Sequence, residues 1–112
     1  MLTTLKNILE QLDIPIAYSH FNTATKLPYL VFYEVSSDNV FADNKVYQEC
    51  ISVEIELYTQ YKDTTLESRL KTLLNDNEIP FEKIVETYIS EEKMFESVYQ
   101  VELYSQPEIA SI

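Results

Sequence analysis

The chain has 112 residues, of which 46% are apolar, 24% charged and 12% aromatic, and it contains no glycine. This length suffices for one hydrophobic core, so we expect a single domain over residues 1–106 and a flexible tail over 107–112. The lack of glycine excludes phosphate-binding loops, dinucleotide-binding loops and nucleophile elbows, because each needs glycine where the backbone approaches a ligand or turns sharply. The one cysteine, Cys50, excludes an internal disulfide, and a zinc site would lack Cys and His ligands. Composition therefore argues against most enzyme classes.

The net charge of −11, from 19 acidic and 8 basic residues, argues against a protein that reads DNA sequence. Affinity for nucleic acid depends on Lys and Arg side chains that neutralise phosphates, and no two basic residues are adjacent here. The acidity fits either simple solubility or a surface that must repel DNA. Neither a membrane span nor a signal peptide is predicted, so we expect synthesis in a cytoplasm and no membrane partner.

Two segments have the apolar spacing of amphipathic helices. The first is predicted from apolar residues three and four positions apart, namely Leu2, Leu5, Ile8, Leu9 and Leu12. Pro15 should end it, because a proline disfavours the helical conformation in the residue before it. The second is expected to begin with a capping box, in which the Thr64 hydroxyl accepts a hydrogen bond from the Glu67 N–H. Residues 75–77 (Asn-Asp-Asn) are expected to end it in the left-handed conformation that glycine would otherwise supply.

Five strands are predicted, over residues 16–21, 29–35, 51–58, 84–90 and 95–104. The clearest is 51–58, where every second residue from Ile51 is apolar and the residues between are mostly polar. In 29–35 apolar residues occupy both faces, which is typical of a strand covered on both sides; in so small a domain the second cover could be another subunit. Residues 36–45 are predicted to be a polar loop around Val40 and Phe41.

The order of these elements is helix, three strands, helix, two strands, and it indicates an α+β domain. We expect a mostly antiparallel sheet of four to five strands with both amphipathic helices packed on one face. Thr-Thr-Leu and Ile-Pro recur around both helices. We interpret this echo as a shared way of ending a helix and not as a duplication.

The sequence offers few residues for chemistry, and no catalytic residue, metal ligand or cofactor is predicted. His20 has no nucleophile motif beside it and is expected at the surface, while Cys50 is expected to be a small packed side chain. Glu54 and Glu56 should lie on one strand face about 7 Å apart, and Glu102 joins them if its strand lies alongside. Such carboxylates would suit glycoside hydrolysis or a hard cation. The simpler interpretation is a solvated sheet face, from which a negative wall facing DNA is not separable by sequence.

Nine tyrosines and five phenylalanines are more than one small core can bury. Tyr and Phe are enriched at protein interfaces, where they supply large contact areas at low entropic cost. Part of the aromatic surface is therefore expected between subunits, and ordinary half-exposed tyrosines are the alternative explanation. Candidates for contact with another subunit or a partner are Val40, Phe41, Tyr47, Tyr29 and Tyr33.

Four phrases of the sequence occur at 27–33 (LPYLVFY), 41–47 (FADNKVY), 51–59 (ISVEIELYT) and 88–96 (YISEEKMFE). In this order, and with the predicted helices between them, they resemble the small tail-completion, or tail-terminator, proteins of long-tailed phages and prophages of low-GC Gram-positive bacteria. The resemblance covers residues 1–105. Families of this kind are recognised by layout and short phrases, since they have no invariant catalytic motif.

The resemblance implies a structural virion protein and not an enzyme. Such proteins form a six-membered ring that caps the finished tail tube, stops its polymerisation and docks onto the DNA-filled head. The implied partners are further copies of the chain, the tail tube protein and a head-completion or connector protein, with DNA only passing through the lumen. The chain would then lie at the head-proximal end of the tail in the virion, after synthesis in the host cytoplasm. Glu54, Glu56 and Glu102 would face the lumen.

Two other functions remain open. One is another head–tail connector, such as a head-closure or adaptor protein. The other is a small acidic binding module for a peptide or a cation, with Glu54, Glu56 and Glu102 as its contact residues. The first would differ in which protein it retains, and the second would bind calcium.

Overall fold

The structure, a computed structural model, describes residues 1–105, in which the chain forms two α-helices and seven β-strands. Helix α1 spans Leu2–Leu9 and continues into a 3₁₀ turn at Glu10–Leu12, and helix α2 spans Thr64–Asp76. The strands are β1 (Ile16–Tyr18), β2 (Tyr29–Ser37), β3 (Val40–Ala42), β4 (Lys45–Gln48), β5 (Cys50–Thr59), β6 (Phe81–Ile89) and β7 (Met94–Tyr104). The tail predicted over residues 107–112 lies outside the described residues.

The main sheet has the strand order β1–β2–β5–β7–β6, in which β1 and β2 run parallel and the other neighbouring pairs run antiparallel. Strands β3 and β4 form a separate antiparallel pair. Side chains from both helices pack into one core on one face of the main sheet. The predicted α+β class, with a mostly antiparallel sheet and two helices on one face, is confirmed. Among residues 1–105, neither helix combines the length and the apolar character that a bilayer crossing requires.

The core lies between the helices and the sheet face that they cover. Helix α1 contributes Leu5 and Leu9, and α2 contributes Leu70 and Leu74, each at most 1% exposed. Their partners on the sheet include Leu30, Phe32, Val53, Ile55, Leu57, Tyr99 and Val101. Side chains alternate along a strand, so the residues between these apolar ones point to the opposite, helix-free side, here called the open face. On β2, β5 and β7 the open face includes Tyr29, Val31, Tyr33, Ser52, Glu54, Glu56, Tyr58, Glu96, Val98, Gln100 and Glu102.

Several predicted strand boundaries are wrong. Strand β1 already ends at Tyr18, because Ser19 adopts a φ of 70°, which is outside the extended region. Strand β2 continues past a bulge to Ser37, and Val35, predicted to lie on a covered face, is exposed. Strand β6 begins at Phe81, three residues before its predicted start at residue 84. The alternation of β5 is as predicted.

Helix α2 begins and ends differently from the prediction. Asp63, not Thr64, is the N-cap residue, and its Oδ1 accepts a hydrogen bond of 3.0 Å from the Leu66 N–H. The predicted capping box is therefore wrong. Asp63 suits the N-cap position because the positive end of the helix dipole favours its negative charge. At the other end the left-handed residue is Glu78, with a φ of 56°, and residues 75–77 are not in that region.

The predicted polar loop over residues 36–45 is also wrong, because β2, β3 and β4 run through it. Strands β3 and β4 are joined by Asp43 and Asn44, whose φ angles are 52° and 62°. Positive φ at both central residues is typical of a type I′ hairpin turn, and Asp and Asn tolerate it better than other residues with a side chain. The Asp-Asn pair is therefore a hairpin signal without the usual glycine.

Truncation of a core side chain tests the packing of α2 on the sheet. Leu70 is fully buried, and Leu70→Ala is expected to lower the free energy of unfolding by about 2–5 kcal/mol, through lost apolar burial and a cavity. The measurement is urea unfolding followed by circular dichroism. Thr72→Ala, at an exposed position of the same helix, serves as the control and should change stability by less than about 0.5 kcal/mol. Equal effects of the two substitutions would contradict the packing described.

Candidate functional site

Residues 40–48, with strands β3 and β4, form a projection called the arm. The arm extends the β2–β5 hairpin past the end of the main sheet, whose last β2–β5 pair is Ser37 with Ile51. At its base the Asp38 N–H donates to the Cys50 carbonyl oxygen at 2.9 Å, and the Cys50 N–H donates to Asn39 Oδ1 at 3.0 Å. The molecule measures 57 × 25 × 24 Å, in keeping with a projecting hairpin.

The arm exposes apolar side chains that its own domain does not cover. Phe41 is 68% exposed, and Val40, Val46 and Tyr47 are also exposed. An isolated two-stranded hairpin is marginally stable in water, so such an arm gains from a partner. The predicted contact residues Val40, Phe41 and Tyr47 thus lie together, and Val46, which pairs with Phe41 across the hairpin, is a fourth that the sequence analysis missed.

The other two predicted contact residues, Tyr29 and Tyr33, lie on the open face and not on the arm. Tyr29 stacks on Tyr58 with 5.0 Å between ring centroids, and Phe21 meets Tyr29 edge-on at 5.4 Å. Both Tyr29 and Tyr33 are half-buried. The five predicted contact residues are therefore divided between two separate surfaces.

On the open face, two tyrosine hydroxyls link three carboxylates in a row. The Tyr33 hydroxyl lies 2.5 Å from Glu54 Oε2 and 2.8 Å from Glu56 Oε1. The Tyr58 hydroxyl lies 2.6 Å from Glu56 Oε2 and 2.6 Å from Glu96 Oε2. A tyrosine hydroxyl has one proton, so each donates to one of its two acceptors at a time. The row fixes carboxylates of two neighbouring strands, β5 and β7, at defined positions.

These contacts hold the two hydroxyls in the protonated form. Hydrogen bonds to Glu54 and Glu56, followed by burial, raise the pKa of Tyr33. Burial, followed by hydrogen bonds to Glu56 and Glu96, raises the pKa of Tyr58. Both phenols therefore remain protonated hydrogen-bond donors at neutral pH.

Glu102 lies on the strand beside β5, as the prediction required, but it does not join the row. It faces Ser52 across the β5–β7 pair, and the Ser52 hydroxyl donates to Glu102 Oε1 at 2.9 Å. The carboxylate that shares the Tyr58 hydroxyl with Glu56 is instead that of Glu96, which the sequence analysis missed. Finding Glu96 would have required the register that sets it opposite Tyr58.

The open face is thus a strongly negative surface. Its carboxylates include those of Glu54, Glu56, Glu96 and Glu102, Glu82 of β6 lies opposite Gln100 on the same face, and none of its residues named above is basic. Within residues 1–105, no group of three or more His, Cys, Asp or Glu side chains is placed to hold a metal ion. The arrangement can repel anions such as DNA phosphates at short range, where salt screens it least.

On the helix side, a cluster of two lysines and two glutamates joins α2 to β6. Glu67 is 6% exposed and accepts hydrogen bonds from Lys62 Nζ at 2.5 Å, Lys83 Nζ at 3.0 Å and the Tyr99 hydroxyl at 2.5 Å. Both lysines also contact Glu86 Oε1, at 2.5 and 2.6 Å. Burial alone would raise the pKa of Glu67, but the hydrogen bonds from Lys62, Tyr99 and Lys83 outweigh it and lower the pKa to about 2. Because two positive and two negative charges cancel, this cluster is locally neutral.

The two side chains with classical nucleophile or base chemistry are not assembled into a site. His20 is exposed, and its Nδ1 lies 3.1 Å from the hydroxyl of the adjacent Ser19. Cys50 is 7% exposed, and burial raises the pKa of its thiol, which keeps it in the unreactive form. The predicted surface position of His20 and packed position of Cys50 are confirmed.

Removing the Tyr33 hydroxyl tests the row of carboxylates. Tyr33→Phe leaves Glu54 and Glu56 without their shared donor and is expected to lower the free energy of unfolding at pH 7 by about 1–2 kcal/mol. The control is Tyr61→Phe, because Tyr61 is 65% exposed and the change should be nearly neutral. Urea unfolding compares the two variants with the wild type. An effect of Tyr33→Phe no larger than that of the control would contradict the row.

Acid titration tests the Glu67 cluster. The pKa of Glu67 is lower in the folded state than its ordinary value of 4.5, so the stability it adds is present above about pH 5 and is lost as the pH falls toward 2. Urea unfolding from pH 7 to pH 2 should show wild type losing its advantage over Glu67→Gln, by up to about 3 kcal/mol. Glu91→Gln, in an exposed turn, should show no such convergence. A constant difference for Glu67→Gln would contradict the assignment.

No protein-family model matches the sequence, and a search of curated proteins found none that matches it. The resemblance to tail terminators therefore stays a prediction, carried by the phrases quoted above. Any function assigned to the chain accordingly rests on this resemblance together with the geometry and charge of its own surfaces.

Proposed function

We propose that the chain is a structural virion protein, a tail terminator that oligomerises as a ring, caps the tail tube and forms the tail side of the head–tail junction. The observation that carries this proposal is the arm, a projecting hairpin with Phe41 exposed near its tip. The role works through contacts between proteins, and it needs no catalytic group or cofactor. The ring of six copies is taken from the family resemblance.

The arm supplies what a ring or cap protein needs, which is apolar surface aimed away from its own core. Complete burial of a Phe or Val side chain stabilises a contact by about 1.5–3 kcal/mol. Phe41 and Val46 face each other across the arm and can be buried together by one partner surface. That partner is another copy of the chain or the end of the tail tube.

The open face supports the proposal through its charge. In a ring around a DNA channel, a wall with Glu54, Glu56, Glu96 and Glu102 would keep phosphates from binding, so that DNA passes without sticking. The tyrosine hydroxyls hold three of these carboxylates in place. The carboxylate positions are thereby set before any DNA arrives.

The decisive substitution is Phe41→Asp, which places a charge at the arm without touching the core. Wild type should form rings with a central hole, alone or on tail tubes, as seen by native mass and electron microscopy. Phe41→Asp should lose ring formation or tube capping while its circular dichroism and urea unfolding remain those of a folded monomer. Tyr61→Asp is the matched control, since Tyr61 is 65% exposed and lies off the arm. A Phe41→Asp variant that still caps tails would refute the role of the arm.

Retention of partners separates the terminator from another connector. A tail terminator should retain purified tail tube protein and stop its further polymerisation. A head-closure or adaptor protein should instead retain only the head-side connector. Failure to bind either partner, together with a monomer at all concentrations, would refute the proposed function.

A further inference from the structure

Strand β6 is a long edge strand with an unused side. It pairs with β7 on one side, and no strand in the described part of the chain pairs with the other. Along it, Ile84, Val85 and Tyr88 are 45–51% exposed. Exposed backbone donors and acceptors beside apolar side chains make such an edge a template for a further strand. The opposite edge strand, β1, is three residues long and offers far less.

A bulge limits which part of the edge can pair regularly. The register of β6 against β7 shifts between Lys83 and Val85, and beyond it residues 85–89 follow a regular register. Bulges interrupt pairing along an edge, so the usable edge is this five-residue stretch. Strand β4 of the arm has four residues, Lys45–Gln48, and fits a stretch of that length.

Charge favours the edge of β6, and not the open face, as the surface that contacts a second copy. Each copy carries a net charge of −11, so copies repel unless the surfaces in contact are nearly neutral. The one charged residue of the 85–89 stretch, Glu86, is paired with Lys62 and Lys83. The arm carries one acid and one base, Asp43 and Lys45, which cancel.

The arm cannot reach the β6 edge of its own copy. Strand β7 lies between β5 and β6, and the arm continues the β2–β5 hairpin away from the end of the sheet. The partner edge must therefore come from a different copy. Two different surfaces then meet, and such a head-to-tail contact closes into a ring or grows as a filament, whereas β6 pairing with β6 would stop at a dimer.

We propose that strand β4 of the arm docks on the free edge of β6, at residues 85–89, of a second copy of this chain. The contact adds a strand to the sheet of the second copy and covers Val46 with its exposed apolar side chains. This inference rests on the ring proposed above and names the contact that joins its copies.

Crosslinking between two marked copies tests the contact. Both copies carry Cys50→Ala, the first adds Val46→Cys on the arm, and the second adds Val85→Cys on the edge. In assembled samples a short bismaleimide should join the first copy to the second. The crosslink yield should be roughly tenfold lower when Tyr61→Cys, the matched exposed control, replaces Val85→Cys. In addition, Val85→Lys should weaken self-association by roughly tenfold or more, with unchanged circular dichroism, and Tyr61→Lys should not.

The outcomes separate this contact from the proposed function. Rings that form and cap tubes without a crosslink above the control level would overturn the arm-to-edge contact and leave the terminator standing. Crosslinks that join only one Val85→Cys copy to another Val85→Cys copy would also overturn it, because they indicate that β6 pairs with β6. Arm-to-edge crosslinks without rings or capping would support the contact and refute the terminator. Absence of any crosslink at high concentration and on tubes would overturn the contact.

Discussion

Because side chains alternate along a strand, β5 can place Ile55 and Leu57 under the helices only by placing Glu54 and Glu56 on the opposite face. β5 pairs with β2 on one side and with β7 on the other, so its register also fixes theirs. A slip by one residue would bury the carboxylates and expose the core, which no hydrogen bonding could offset. The core and the negative open face therefore both follow from the alternation of side chains along β5.

The same charge restricts where copies of the chain can meet. Negative charge on the open face disfavours contact with a second copy there, while the cluster of Lys62, Lys83, Glu67 and Glu86 beside β6 is itself neutral. The apolar surfaces left exposed on the arm and on β6 fall where charge is low. Electrostatics thus disfavours contact through the open face, and the proposed contact between the arm and the β6 edge joins apolar surfaces that carry little net charge.

Features encoded within a few residues could be predicted from the sequence, and features that depend on distant partners could not. The alternation of β5 and the apolar spacing of α1 are local patterns, and both predictions are confirmed. The roles of Glu67 and Glu96 depend on Tyr99 and Tyr58, which are 32 and 38 residues away along the chain. The hairpin of the arm was missed for another reason, since its turn uses Asp and Asn where the usual signal contains glycine.

A hairpin turn without glycine also bears on how the arm would bind. Asp43 and Asn44 have fewer accessible conformations than glycine in the unbound chain, so less entropy is lost when the arm is fixed on a partner. An arm with a net charge of zero gains little from ion pairs across the contact. Added salt would then strengthen the proposed ring, because it screens the repulsion between copies without weakening the apolar contact that joins them. A ring held by salt bridges would respond in the opposite direction.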